Sequence, residues 1–270
     1  MDAQVPLAIV GGGRMGEAIV GGLLAAGSLD PGSIVVAEPD ALRRSSLAEV
    51  HGVRCVPDGR DAVSGASTVL LAVKPQVIDD VVRSLADAVG LDTLVVSIAA
   101  GVTCARLEAL LAPGTAVVRV MPNTPALVRQ GMAVVSGGAA ASAAQIEAVR
   151  SMFSSLGRAL VLEERHQDAA TAISGSGPAY VAIFVDALAA AGEREGLPRE
   201  VAEQLAVQTL RGTADLLELT GQTPDELVAA VSSPGGTTVA ATARLEAGGF
   251  RSSVGAAVAA AVERAKELGA

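Results

Sequence analysis

The chain has 270 residues and a mass of 26.8 kDa, enough for two domains of ordinary size or one large one. Half of it is apolar and only 18% is charged, which excludes a disordered tail protein and supplies ample side chains for a core. The formal charge of −9 argues against a nucleic-acid binder, which needs a surplus of Lys and Arg to displace counterions. Only two of the cations are lysines, Lys74 and Lys266, so chemistry that requires a lysine has few candidates. With Cys55, Cys104, His51 and His166 as the only cysteines and histidines, no metal-ligand spacing and no disulfide framework emerges. A cytoplasmic, metal-free protein is therefore expected. The N-terminal apolar run has no basic leader and does not read as a secretory signal. The uncharged stretch Ala169 to Val185 is broken by Ser174-Gly175-Ser176-Gly177-Pro178, so no membrane span is expected.

In chain order, an apolar run from Val5 to Val10 ends in Gly11, and Ala18, Ile19, Leu23 and Leu24 then recur at helical spacing. A second β-branched run, Ser33 to Ala37, completes a strand–helix–strand unit. Further runs at Thr68 to Val73, Thr93 to Ile98 and Thr115 to Met121 alternate with helical segments near 76–88 and 103–111. This pattern predicts an α/β fold, a doubly wound parallel sheet with helices on both faces. Gly131 to Ser136 and Ala159 to Leu162 are candidate edge strands. Beyond Glu163 the strand period stops, and helices are expected near 167–194, 199–219, 224–231, 237–247 and 252–268. The reading divides the chain into a dinucleotide-binding domain, residues 1–163, and an all-helical domain, residues 164–270. Tyr180 to Ala191 is apolar on nearly every side apart from Asp186. A helix with no solvent face needs a cover, and a partner subunit is the expected one.

Gly11-Gly12-Gly13-Arg14-Met15-Gly16 fits G-x-G-x-x-G between a strand and a helix. There glycines let a pyrophosphate approach backbone N–H groups at a helix N-terminus. Glu38, 22 residues after Gly16 and followed by Pro39, stands where an acidic residue accepts from a ribose 2′-OH. It disfavours a 2′-phosphate, whereas Arg43 and Arg44 would bind one or simply line a solvated helix face, so NADH and NADPH both remain open. Ala72-Val73-Lys74-Pro75, Ser97 to Gly101 and Met121 to Pro125 each end a strand on the side where ligands of open α/β sheets collect. A proline stop is equally a structural turn. Ser174 to Tyr180 places two glycines and a proline in a helical pattern, as a kink, a close helix contact or a functional turn. Ser232-Ser233-Pro234-Gly235-Gly236-Thr237-Thr238 opens a helix with free N–H groups and two hydroxyls, either a pocket for a small carboxylate or an ordinary N-cap. The helical half offers only His166 and Lys266 as a general acid for hydroxyl chemistry. A protonated imine needs placement more than an acid.

Taken in order, the glycine turn, AVKP at 72–75, RVMPNTP at 119–125, SGSGPAY at 174–180 and SSPGGTT at 232–238 resemble Δ1-pyrroline-5-carboxylate reductases over essentially the whole chain. The resemblance implies reduction of the cyclic imine 1-pyrroline-5-carboxylate to L-proline with NADPH or NADH, the last step of proline biosynthesis. It implies a Rossmann domain followed by a helical dimerisation domain, and a homodimer assembled further, often as a decamer. By position it implies that Val10, Gly11, Gly12, Gly13, Arg14 and Met15 contact the pyrophosphate, with Gly16 completing the cofactor-binding turn. Glu38, beside Pro39 at the cofactor, stands where NADPH-preferring relatives tend to carry small or basic residues, a departure that leaves NADPH and NADH open. Ala72, Val73, Lys74 and Pro75 would line the nucleotide, and Ala99, Ala100 and Gly101 would approach the nicotinamide. Glu164, Gly235, Gly236, Thr237 and Thr238 would hold the substrate, with the Thr238 hydroxyl at the ring nitrogen. It also implies sites shared between subunits. Where relatives often carry an asparagine that touches the cofactor, this chain has Gly59 beside Asp58.

Two rivals are a β-hydroxyacid dehydrogenase-like enzyme and a non-catalytic dinucleotide-binding protein. The first uses a lysine on the first long helix of its second domain, and residues 165–195 contain none. The second is a standing alternative because one fold hosts many functions.

Overall fold

The computed structural model describes residues 6–269; Val5, the first residue of the opening apolar run, lies outside them. The first compact unit, up to Ser176 and joined by the C-terminal residues from Ala261, carries β1 (Leu7–Val10), α1 (Arg14–Ala25), β2 (Ile34–Ala37), α2 (Ala41–His51), β3 (Arg54–Val56), α3 (Gly59–Val63), β4 (Thr68–Leu71), α4 (Ile78–Leu85), β5 (Leu94–Ser97), α5 (Cys104–Glu108), β6 (Val117–Met121), β7 (Gly131–Gly137), α6 (Ala143–Ser154) and β8 (Gly157–Val161). The strands form one sheet in the order β3-β2-β1-β4-β5-β6-β7-β8. β3 through β6 across that order run parallel. β7 reverses against β6, and β8 follows β7 in parallel.

Alternate residues of the inner strands sort into two cores, as a sheet covered on both faces requires. Leu7, Ile9, Val36, Val96 and Val118 pack with Ile19 and Leu23 of α1 and Phe153 of α6. Ala8, Val10, Val35, Val69 and Val95 pack with Val63, Val82, Leu85 and Leu107 on the other face. The period-2 pattern thus fixes which helix lies on which face. β3 is an addition to the strands read from the sequence; its three residues carry an exposed Arg54 and a half-buried Cys55, too short and too wet for a pattern to register.

The chain then enters α7 (Gln167–Ala170), a π-turn over Thr171–Gly175 and α8 (Gly177–Arg194). The helix expected near 167–194 therefore runs through the Ser174–Pro178 motif, with a π-turn leading into it. The 31 residues Glu164–Arg194 form one helical stretch long and apolar enough, by length and composition, to cross a membrane. The second unit, Gly177–Ala260, holds α8, α9 (Arg199–Thr220), α10 (Pro224–Ala230), α11 (Thr237–Ala247) and most of α12 (Phe250–Gly269). α8 and α9 are tied by Arg199, whose guanidinium donates to Asp186 at 2.6 Å and to Glu203 at 2.7 Å. The lone acid of the apolar helix is thereby neutralised. Ile183 is 69% exposed and Phe250 42%, and both line an apolar groove of about 520 Å³ with Phe184, Leu188 and Val254.

Candidate active site

Three backbone positions shape the turn after β1. Gly11 has φ +109°, and a Cβ there would lie 2.6 Å from the carbonyl oxygen of Ala72. A Cβ on Gly12 would lie 2.5 Å from Leu47, and one on Gly16 would collide with the Gly11 carbonyl. Only glycine fits these three positions unstrained. Gly13 is different: its φ of −67° is ordinary, the nearest atom to a Cβ is Arg43 Nη1 at 3.8 Å, and it N-caps α1 without any side-chain hydrogen bond. The first-turn N–H groups of α1 are thus uncapped beside open space, which is the donor set a pyrophosphate requires. Arg14 and Arg43 are both exposed around this opening, and Met15 is half-buried behind it.

Glu38 ends β2 beside that turn and is 7% exposed. Its Oε2 accepts from Gly12 N at 3.0 Å and its Oε1 from Asp40 N at 3.0 Å. Arg44 donates to the carbonyls of Glu38 and Pro39 at 2.8 and 2.7 Å. The carboxylate is therefore already bound to the backbone of the turn, and Arg44 is a brace for the strand end.

Along the same edge, Ala72 N donates to the Val10 carbonyl at 2.8 Å, while Lys74 is exposed ahead of the turn that Pro75 opens. Ala99 and Gly101 are buried beyond β5. Gly101 has φ +78°, and a Cβ there would lie 3.0 Å from Leu268. The last turn of α12 thus covers Gly101, while Ala100 stays half-exposed. Gly59 opens α3 behind the Asp58 cap, and a Cβ on it would lie 2.9 Å from Leu85. A side chain at this half-buried position would require the Leu85 methyl to shift.

Glu164 belongs to an ionic cluster around a buried arginine that the sequence reading did not anticipate. Arg119, 3% exposed on β6, contacts Glu164 Oε1 at 3.4 Å and Asp168 Oδ1 at 3.3 Å. Glu164 Oε1 also accepts from Cys104 N at 2.8 Å, at the start of α5. Breaking such a pair would strand a buried charge, so the cluster pins residues 164–168 to the sheet. Burial, then the neighbouring Glu164 charge, pushes the Cys104 thiol up to about 12, which keeps it protonated and unreactive. The sequence signal for this cluster is an arginine inside the buried run Val117-Val118-Arg119-Val120.

In the second unit, Gly236 N-caps α11 with no side-chain hydrogen bond. Gly235 turns the chain at φ +71°, and a Cβ on Gly236 would lie 2.5 Å from Ser233 Oγ. Thr238 is half-buried and Thr237 exposed. The first-turn N–H groups of α11 thus receive no side-chain cap from Gly236.

Residues 164–268 match the family model described as pyrroline-5-carboxylate reductase dimerisation, and residues 6–101 match one described as NADP oxidoreductase, coenzyme F420-dependent. A pyrroline-5-carboxylate reductase of Synechocystis sp. is 44% identical over 266 residues, covering 98% of this chain and 99% of that one. Among solved structures, a pyrroline-5-carboxylate reductase from Coxiella burnetii superposes with a TM-score of 0.92 at 36% identity, covering 99% of this chain and 100% of that one. A pyrroline carboxylate reductase from Plasmodium falciparum with NADP bound gives 0.89 at 29% identity, covering 98% of each chain.

Proposed function

The chain belongs to the pyrroline-5-carboxylate reductase family, and we propose from its geometry how its residues serve that reductase activity. It is an NAD(P)H-dependent oxidoreductase with a helical dimerisation region. The glycine turn and the uncapped start of α1 hold the pyrophosphate. Val10, Ala72, Val73, Lys74 and Pro75 line the nucleotide, Glu38 and Pro39 lie by the ribose, and Ala99, Ala100 and Gly101 lie toward the nicotinamide. We assign NADPH as the preferred form. The NADP oxidoreductase model matched by residues 6–101 and the NADP-bound Plasmodium falciparum relative support this form, while Glu38, whose carboxylate accepts from two backbone N–H donors, leaves NADH usable.

When bound, the dinucleotide supplies a hydride to the imine carbon. The chain contributes binding, orientation and a hydroxyl at the nitrogen. The observation that carries the substrate assignment is the opening of α11, which has N–H groups free of any side-chain cap beside Gly235, Gly236, Thr237 and Thr238. The N–H groups and glycines take the carboxylate of 1-pyrroline-5-carboxylate, while Thr238 faces the ring nitrogen and steadies the amine proton of L-proline as it forms. Glu164 serves the substrate through the order it gives residues 164–168.

The exposed apolar groove around Ile183 and Phe250 supports a homodimer, since isolated soluble chains rarely expose such a patch. It also accounts for the apolar helix without a membrane. Leu205, Val207 and Leu219 of α9 remain exposed as well, at 54%, 54% and 84%, which supports further assembly such as a decamer. Both cysteines are free thiols, as in a reducing cytoplasm, where the product would feed proline biosynthesis. The test is oxidation of NADPH and NADH with and without the imine, with a hydroxyacid–oxoacid pair as control. Imine-dependent turnover alone is expected; turnover of the oxoacid alone would overturn the assignment.

A further inference from the structure

The π-turn at Thr171–Gly175 closes with Ser176 N donating to the Thr171 carbonyl at 2.9 Å. Four residues beyond Ser174 stands Pro178, which has no N–H, so the Ser174 carbonyl lacks the donor an α-helix would provide. Asn123 supplies one: its Nδ2 donates to the Ser174 carbonyl at 3.0 Å, and its Oδ1 accepts from Met132 N at 2.8 Å. Asn123 is 9% exposed, and both ends of its carboxamide are engaged by backbone. The same turn is seated on the end of β6, where a Cβ on Gly175 would lie 2.8 Å from Met121 Cε. β6 runs beside β5 with Ser97 opposite Arg119, so the π-turn sits next to the strand end that leads into Ala99–Gly101. π-turns of this kind recur at functional sites.

We propose that Asn123 is a positioning residue for imine reduction: its carboxamide and the missing N–H of Pro178 together hold the Ser174–Ser176 backbone in the π register at the ligand-bearing edge of the first unit. The proposal rests on the assignment of Ala99–Gly101 to the nicotinamide end. The glycine turn belongs to β1, three strands away in the sheet order, so Asn123 acts on the imine step and leaves dinucleotide affinity alone. A purely structural role would make activity follow the stability of the turn, so that restoring the turn in any register would restore turnover.

The test uses the full chain, with hydrogen exchange of residues 168–180, NADPH affinity and imine kinetics as separate readouts. Asn123→Asp keeps the shape and the acceptor for Met132 but turns an oxygen toward the Ser174 carbonyl. Facing the half-buried Ser174 carbonyl with an oxygen instead of its donor corresponds to roughly a 5- to 150-fold change in an opening equilibrium. Exchange at 168–180 is expected to rise by that order, imine kcat/KM to fall at least tenfold (about 1.4 kcal/mol), and NADPH Kd to stay within twofold. Asn123→Ser, which loses reach without adding charge, serves if the aspartate variant does not fold.

Pro178→Ala added to either variant returns an N–H to Ser174, but in the α register. Protection should recover while imine kinetics stay impaired. Recovery of both together, failure of protection to recover, or imine kinetics within twofold of wild type in the single variant would each overturn the proposal. Because exchange is read without substrate, its outcome is independent of the reductase reading: a wild-type chain inactive on the imine would overturn that reading and the proposal with it, whereas an active wild type beside an unimpaired single variant would overturn the proposal alone.

Discussion

Gly11 and Gly13 are two residues apart, and their substitutions should move stability and dinucleotide affinity in opposite ways. Gly13 has extended φ and ψ of −67° and −179°, N-caps α1 without a side-chain bond, and leaves room for a Cβ. Gly13→Asp should therefore fold, and the new carboxylate should cap α1, a gain of roughly 0.2–0.5 kcal/mol over glycine. That carboxylate then stands where the pyrophosphate needs to be. One pair of like charges at about 4 Å and an effective dielectric of about 20 repels by about 4 kcal/mol, roughly a thousandfold in Kd. Arg43 softens this by no more than about 1 kcal/mol, the value of an exposed ion pair, so a loss of at least a hundredfold is expected. Gly11→Ala forces a Cβ to 2.6 Å from the Ala72 carbonyl oxygen at φ +109°. Strain of about 1–3 kcal/mol from the dihedral and about 1–3 from overpacking should lower Tm by roughly 4–24 °C. Calorimetry and fluorescence titration with NADPH measure both effects. A Gly13→Asp protein of unchanged Tm that binds NADPH within tenfold of wild type would refute the placement of the pyrophosphate at α1.

Thr238→Ala should lower imine kcat/KM roughly 2- to 150-fold, the range of one lost hydrogen bond to a neutral or charged partner, at constant NADPH Kd; unchanged steady-state kinetics would remove Thr238 from the site. Glu38→Ala should shift the NADPH:NADH ratio of kcat/KM toward NADPH by at least fivefold, about 1 kcal/mol, and a ratio within twofold of wild type would show that Glu38 does not face the ribose. The Cys104 thiol is raised in the fold from 9.0 to about 12, chiefly by burial, so the native state holds this proton more tightly than the unfolded chain does. Its contribution to stability is complete below pH 9.0 and is lost as pH rises toward about 12, at up to about 1.4 kcal/mol per pH unit. Urea titrations across that window should show a shallower alkaline loss in Cys104→Ala; equal slopes would contradict it.

The sheet was legible because its signal is local. Val10, Ala37, Leu71, Ser97 and Met121 each close a short apolar run, and a buried parallel strand needs nothing more than such a run between turn residues. β3 escaped for the converse reason, since three residues with Arg54 exposed carry too little apolar pattern to count. The reversal of β7 against β6 was equally silent: Gly131–Gly137 reads the same in either direction, and its sense is set by Asn123 and the turn at Thr124–Val128.

The side chains of the candidate site divide along the same line. The glycines of the turn were readable because a missing Cβ is itself the feature, and the collision each one avoids lies at one loop crossing. Glu38 was readable in position but not in partners, because the Gly12 N–H it holds comes from 26 residues earlier. Arg119, Glu164 and Asp168 are 45 and 49 residues apart as pairs, and Asn123 and Ser174 are 51 apart. No spacing rule reaches across such distances. What the sequence did contain was the unmet demand on each side: a charged residue within a buried strand, and a proline that removes a helical N–H. Each demand requires a partner that only the fold can name. Pro178 marks the need at Ser174 from four residues away, and Asn123, in a motif that otherwise reads as a strand stop, is the group that answers it. A polar residue at a strand end therefore carries two readings, ligand contact and backbone clamp, and the hydrogen-bond count separates them: both ends of the Asn123 carboxamide are engaged within the protein, while the openings at Gly13 and Gly236 have no side-chain cap.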